Sequence, residues 1–168
     1  MAFDPQILVK RLSEKKTLMI LAVITLAVFA LMMYIKGSLQ IFDQKLFYSK
    51  DQIRPMLDLM GADGRATYRY VNALDFIFIC CYTLLLTGSY TTFFETSAPA
   101  LMVIPTILSF ADTAETSAIW YLLKHYPEQY PKLETVMMIA TPFKWFMGLT
   151  AVLVFVNGYV VNWYLKQK

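Results

Sequence analysis

Apolar residues form four long stretches along this chain, and charged residues are almost excluded from them. Three stretches contain no charge: Thr17–Ile35, Phe76–Phe94 and Trp145–Leu165. A fourth, Thr96–Leu123, is apolar except for Asp112 and Glu115. Each stretch has about the ~20 residues that a helix needs to cross ~30 Å of hydrocarbon. The pattern predicts an all-α four-helix transmembrane bundle, a single membrane domain over 1–168 with spans at about 17–36, 73–94, 98–123 and 134–165.

Composition agrees with this prediction. Hydrophobic residues make up 58% of the chain and charged residues only 16%. A soluble helical bundle is the alternative, but a chain this short has little interior in which to bury several charge-free runs of this length. The net charge of +3 comes without the basic stripe of a nucleic-acid binder, so we expect no nucleic-acid partner.

The first loop, residues 37–70, contains a helix signal of its own. Ser49 and Gln52 have the spacing of a capping box, and apolar residues then recur at helical spacing up to Gly61, where a helix is expected to stop. We predict a short amphipathic helix here, with Asp63 as the cap of the following span.

The ends of the chain suggest a topology. Asp4-Pro5 is typical of a helix start, and the residues after it favour an amphipathic lead-in along the membrane surface. The first apolar run is longer than the apolar region of a secretory signal peptide, so we expect it to remain as a span. Lysine and arginine before this span favour cytoplasmic N- and C-termini in a bacterial inner membrane. The basic residues of the first loop argue against that orientation: Lys45, Lys50, Arg54, Arg65 and Arg69.

Four ionisable residues interrupt or border the spans: Asp75, Asp112, Glu115 and Lys144. Ionisable residues inside a membrane are costly and suggest a functional site by default. At ~1.5 Å of rise per residue, all four fall in the half of the bundle beneath the first loop. We predict a polar crown there, in which Lys144 is balanced by two or three carboxylates. In the alternative, Asp75 and Lys144 reach the interface, or the charges only fix helix packing.

Other polar residues extend the candidate ligand-binding group. Arg65 and Tyr68 are predicted at the mouth of the second span, and His125 follows the third span as a possible proton carrier. Gly148, on a stripe with Lys144, is expected to let another helix approach closely. The sequence shows no catalytic motif and no metal-ligand spacing. The adjacent Cys80 and Cys81 are expected to act as small apolar residues within a helix. We therefore expect no cofactor and no metal, and leave open whether the chain is an enzyme.

An ordered series of short motifs resembles a group of uncharacterised small bacterial four-helix integral membrane proteins. These have a G-x-x-G-R-x-x-Y loop before the second span and a D-x-x-E-N signature in the third. This chain has Gly61, Gly64, Arg65 and Tyr68 at the first motif, and Asp112 and Glu115 at the second. Further along, the series includes Tyr126-Pro127, Thr141 and Lys144. Thr116 replaces the asparagine, and the proline often found after the phenylalanine corresponding to Phe76 is absent. The resemblance implies fold and location but no activity.

These observations lead to one functional hypothesis with two alternatives. The first is binding of a small amphiphile or lipid headgroup in the polar crown, where Asp112 and Glu115 hold a cationic or hydroxyl group and Lys144 and Arg65 an anionic one. The second is an accessory or scaffolding subunit, in a homo-oligomer or a larger membrane complex. A proton-coupled carrier is the third, although no broken pair of helices or internal repeat supports it.

Overall fold

The computed structural model of the chain describes residues 10–94, 97–165 and 167. The described residues are helical and contain no strand. The long helices are α1 (Lys15–Lys36), α3 (Gly61–Phe94), α5 (Val103–Lys124) and α6 (Pro131–Leu165). Two shorter ones, α2 (Lys50–Leu59) and α4 (Ala98–Leu101), lie between them, and a 3₁₀ turn covers Phe42–Gln44.

Among the described residues, three helices are long and apolar enough to cross a membrane: α1, α3 and α6. Helix α5 has a similar length to α1, but Asp112, Glu115 and the C-terminal Lys124 lower its hydropathy. Large hydrophobic side chains are exposed on the outer surfaces, as at Val23 and Leu26 in α1 and Leu149 and Leu153 in α6. Helices α1 and α6 thus each expose an apolar surface.

Helix α3 is the centre of the packing, because it contacts α1, α5 and α6. Helix α5 packs extensively on α6, whereas α1 packs chiefly against α3 and has little contact with α6. Side chains of α1 and α6 therefore do not fill the space between these two helices.

The first loop is folded into the bundle. Ile41, Phe42 and Tyr48 from the loop and Ile53 and Leu57 from α2 are buried. They form one hydrophobic core with side chains of α3, α5 and α6, including Tyr68, Ile119 and Met137. This core holds the loop across the end of the bundle where the ionisable residues meet.

The short helix in the loop is confirmed, with its capping box formed by Ser49 and Gln52. The predicted start of the second helix is wrong: α3 begins at Gly61, which has a positive φ of 65°, so Asp63 lies inside its first turn. The predicted third span is divided at Met102 into α4 and α5. The Asp4-Pro5 prediction and the turn at 95–96 fall outside the described residues.

Candidate functional site

Lys144 lies at the centre of three carboxylates. Its Nζ atom is 2.9 Å from Asp112 Oδ1 and 2.5 Å from Glu115 Oε2, both on α5. The third carboxylate is that of Asp43 in the first loop, 3.1 Å away. Asp112 and Glu115 reach one ammonium because residues three apart share a face of a helix. We call these four residues the Lys144 cluster.

The sequence pattern does not point to Asp43, which lies in the part of the first loop that precedes the short helix and carries no predicted site residue. The loop is unusually apolar for a solvated connection, with Leu39, Ile41 and Phe42 directly before Asp43. Ile41 and Phe42 are buried and bring Asp43 inward with them, whereas Leu46 and Phe47 remain exposed. The apolar residues beside Asp43 are therefore the sequence signal that could have placed it in the site.

Hydroxyl groups complete the hydrogen bonding of the cluster. Tyr68 donates to Asp43 Oδ2 at 2.5 Å, while the same phenol oxygen accepts the Phe42 N–H at 3.2 Å. Tyr82 donates to Asp112 Oδ2 at 3.0 Å. Asp43 and Asp112 therefore each use one oxygen for the Lys144 ammonium and the other for a tyrosine hydroxyl.

Glu115 is held in the same way by two hydroxyl groups. Its Oε1 atom accepts from Thr141 and lies 3.4 Å from the Tyr48 hydroxyl, which is itself 2.9 Å from Thr141 Oγ1. Burial, together with the nearby Glu115 charge, raises the pKa of Tyr48 above its ordinary value of 10.0. Tyr48 therefore stays protonated at neutral pH and remains a donor.

Asp75 is a fourth carboxylate beside the cluster. Its Oδ2 atom accepts a 2.6 Å hydrogen bond from Thr116. The carboxylates of Asp75, Asp43 and Asp112 each place an oxygen within 4.8 Å of the other two. In the described part of the chain, no side chain or backbone group donates to Asp75 Oδ1.

The charges of this group do not balance. Four carboxyl groups face one ammonium, so full ionisation would leave three negative charges uncompensated. Uncompensated charge in a buried position is costly, and it is relieved by a proton or by a bound cation. The arrangement therefore favours an additional positive group beside Asp75.

A cavity of about 590 Å³ opens next to these residues, within the ~300–1,000 Å³ typical of small-molecule sites. Its polar end is formed by Asp43, Asp75, Asp112 and Lys144, with Tyr82 and Gln44 nearby. The remaining walls are largely apolar and include Phe29, Met32, Phe78, Leu86, Leu108 and Val152. Because these side chains come from α1, α3, α5 and α6, the cavity lies between all four long helices.

Gly148 lines this cavity and is not a point of close helix contact. A Cβ atom at Gly148 would meet only Leu108, at 4.0 Å. Close approach occurs instead at Gly88, where a Cβ would lie 2.5 Å from the Leu12 carbonyl oxygen, and at Gly158, where it would lie 2.8 Å from Phe94. The expectation for Gly148 is therefore wrong, and the residue leaves space for a ligand.

Asn72 is buried on the face of α3 that it shares with Tyr68 and Asp75. It is 1% exposed, and both its carboxamide oxygen and its nitrogen have no hydrogen-bond partner among the described residues. Tyr68 and Asp75 both approach Asp43 from this face, one on either side of Asn72 along the helix. An unsatisfied buried amide calls for a bound water, ion or ligand.

Arg65 lies in a different group from the one predicted. Its guanidinium donates to the Leu57 carbonyl at 2.8 Å and lies 3.7 Å from the centre of the Tyr126 ring. Arg54 contacts the same ring and donates to the Pro127 carbonyl oxygen. These contacts attach α2 to the loop before α6, so Arg65 is not positioned to hold an anion at Lys144.

His125 is also outside the cluster. Its ring stacks on Tyr121 with centroids 4.0 Å apart, and its Nδ1 atom lies 2.9 Å from the Tyr121 carbonyl oxygen. Tyr130 packs edge-on against both rings. Of the seven residues predicted for the site, the structure brings together Asp75, Asp112, Glu115, Lys144 and Tyr68, and leaves out Arg65 and His125.

Oxygen ligands for a metal ion are present, although the sequence predicted no metal. Asp43, Asp75 and Asp112 form the group of carboxylates that could hold a cation. Two of these carboxylates already bind the Lys144 ammonium. A metal ion would have to share these two ligands with the ammonium of Lys144.

No protein-family model, no curated protein and no solved structure matches this chain.

Proposed function

We propose that this chain is an integral membrane protein with four transmembrane helices, α1, α3, α5 and α6. The exposed apolar side chains of α1 and α6 support insertion, because a soluble protein rarely exposes apolar patches of this extent. Helix α5 is the least hydrophobic of the four, but Asp112 and Glu115 are buried and turned toward Lys144. Its acids therefore need not face lipid.

The proposed topology has both termini in the cytoplasm of a bacterial cell. Lys10 and Arg11 precede α1, Lys15 and Lys16 are its first two residues, and positive charge next to the first span favours the cytoplasmic side. Reporter fusions at residue 168 and in the first loop test this: the C-terminal reporter is expected to be cytoplasmic and the loop reporter external. The reverse pattern would invert the topology.

Within this bundle, we propose that the cavity binds a small amphiphile. The observation that carries the proposal is the division of the cavity into a polar end, at Asp75 and Lys144, and largely apolar walls. Such a shape matches a molecule with one polar head and a hydrocarbon tail. Because α1 has little contact with α6, a lipid-soluble ligand has a route from the bilayer into the space between them.

Cavity filling tests the proposal without changing any charge. Gly148→Leu adds a side chain where a Cβ meets only Leu108 at 4.0 Å, so the variant is expected to fold and to lose amphiphile binding. Ala27→Leu introduces the same side chain on the exposed surface of α1 and is the control. Native mass spectrometry of detergent-purified protein gives the readout. Equal binding by Gly148→Leu, Ala27→Leu and the natural chain would reject the cavity as the site.

The ion pairs that the Lys144 cluster makes within the chain favour a second function, a scaffolding subunit in which the charges only fix helix packing. Replacing buried ion pairs by apolar residues is often neutral for stability, provided that no charged partner is left behind. This alternative predicts that Lys144→Met combined with Asp43→Asn, Asp112→Leu and Glu115→Gln folds as stably as the natural chain and remains in a complex of unchanged size. Loss of the fold, or a monomeric natural chain in a lipid nanodisc, would argue against it.

A further inference from the structure

We infer that the headgroup bound in this cavity is a protonated amine, held by Asp75. The inference rests on the proposed amphiphile-binding function and specifies the chemistry of its ligand. Two observations carry it: Lys144 is already paired with carboxylates, and Asp75 has an acceptor oxygen without a donor.

Lys144 is already surrounded by carboxylates: it donates hydrogen bonds to Asp43 and Asp112 and forms an ion pair with Glu115. A lysine ammonium has three N–H donors, and three carboxylates lie within 3.1 Å of Nζ. An anion entering the cavity would have to displace one of these carboxylates. It would also add negative charge to a group that already has too much. The lysine that lines the cavity therefore does not select for phosphate, sulfate or carboxylate.

Asp75 is the acid with a free acceptor at the cavity. It lines the cavity, its Oδ2 atom is bound by Thr116, and its Oδ1 atom has no donor from the described residues. The nearest charged groups are Asp43 from the loop, Asp112 from α5 and Lys144 from α6. Two of these three are acids, so a cation beside Asp75 lies in a negative environment.

Asn72 is buried on the same face of α3 as Asp75, one turn closer to the loop, and its carboxamide has no partner among the described residues. It does not line the cavity, and it lacks both a donor and an acceptor, so it does not itself select the charge of a headgroup. The selection comes from Asp75 Oδ1, which can accept a hydrogen bond from a headgroup directly or through a water molecule. A quaternary ammonium has no N–H donor, so this free acceptor favours a protonated amine.

Aromatic rings beside the polar end suit a cation as well. Phe78 and Tyr82 both line the cavity and pack edge to face, with ring centroids 5.4 Å apart. The faces of aromatic rings attract cations, by about 0.5–2 kcal/mol depending on desolvation. They give no comparable preference for a neutral alcohol or a sulfate.

The test compares three amphiphiles that share a brominated dodecyl tail and differ in the headgroup: a primary ammonium, an alcohol and a sulfate. Bromine quenches tryptophan fluorescence on contact, and Trp145 lines the cavity. Trp120→Phe and Trp163→Phe leave Trp145 as the single reporter. The expected result is ammonium binding at least about tenfold tighter than binding of the alcohol or sulfate, which corresponds to about 1.4 kcal/mol.

Asp75→Asn assigns this preference to one residue. It is expected to lose at least about tenfold in ammonium affinity and to bind the alcohol unchanged. Asp51→Asn, at the start of α2, is the matched control and is expected to keep the preference.

Equal affinity for the three headgroups, or tighter binding of the sulfate, would overturn the inference but leave amphiphile binding intact. Absence of specific quenching by all three would reject the proposed function itself. The comparison of headgroups on the natural chain tests the inference even if Asp75→Asn fails to fold.

Discussion

Lys144 Nζ lies 3.1 Å from Asp43 Oδ1, although 101 positions separate the two residues in the chain. This ion pair connects the first loop to α6, and it places the loop over the end of the bundle where α3 and α5 contribute their acids. The loop thus helps to form the site and does more than join two helices.

Lys144→Met is expected to destabilise the protein severely. The substitution leaves the carboxylates of Asp43, Asp112 and Glu115 buried without their shared cation, and breaking a buried ion pair in this way costs about 3–5 kcal/mol. The free energy of unfolding in mixed micelles gives the measurement. Lys124→Met, at the exposed end of α5, is the control and is expected to change it by less than about 0.5 kcal/mol.

Asp43→Asn is expected to loosen the loop while the helices stay packed. The variant loses the ion pair to Lys144 and weakens the hydrogen bond from Tyr68. Faster backbone hydrogen exchange at residues 39–48, with unchanged exchange in the middle of α5, is the expected result in exchange mass spectrometry. Unchanged protection of the loop would show that its apolar residues alone hold it in place.

Tyr48→Phe is expected to cost about 0.5–1.5 kcal/mol at neutral pH, the usual contribution of one hydrogen bond. The pKa of Tyr48 is raised in the folded state, so the hydroxyl contributes fully below its ordinary value of 10.0. This contribution falls as the pH rises further, because the unfolded chain then ionises first. The stability difference between natural chain and variant should therefore shrink above about pH 10. A difference that grows with pH would contradict this assignment.

Gly158→Ala and Gly148→Ala on α6 are expected to have opposite effects. At Gly158 the new Cβ would lie 2.8 Å from ring atoms of Phe94 and 2.9 Å from Phe93 Cβ, so the helices must separate. At Gly148 it meets only Leu108 at 4.0 Å, and alanine gains about 0.5–1 kcal/mol of helix stability over glycine. Thermal unfolding of the two variants side by side checks this. Equal destabilisation would mean that the cavity beside Gly148 is closed.

The helices were predictable because their signals are local. The capping box at Ser49 and the apolar run of α1 each act through residues that are close in the chain, so the sequence identified these elements. The boundaries were less accurate. Helix α3 starts at Gly61, before the predicted cap at Asp63, because the chain turns at Gly61, whose φ is 65°, and continues directly as a helix.

Hydropathy and helical rise alone predict four long helices and place Asp75, Asp112, Glu115 and Lys144 toward one end of them. These signals suffice because they depend only on neighbouring residues. Which of the charges meet depends on the tertiary structure. The path of the first loop placed Asp43 beside Lys144, while the contacts of Arg65 and His125 with Tyr126 and Tyr121 drew them elsewhere. Ion pairs depend on helix rotation and loop closure, and these are fixed by the packing of residues that are distant in the chain.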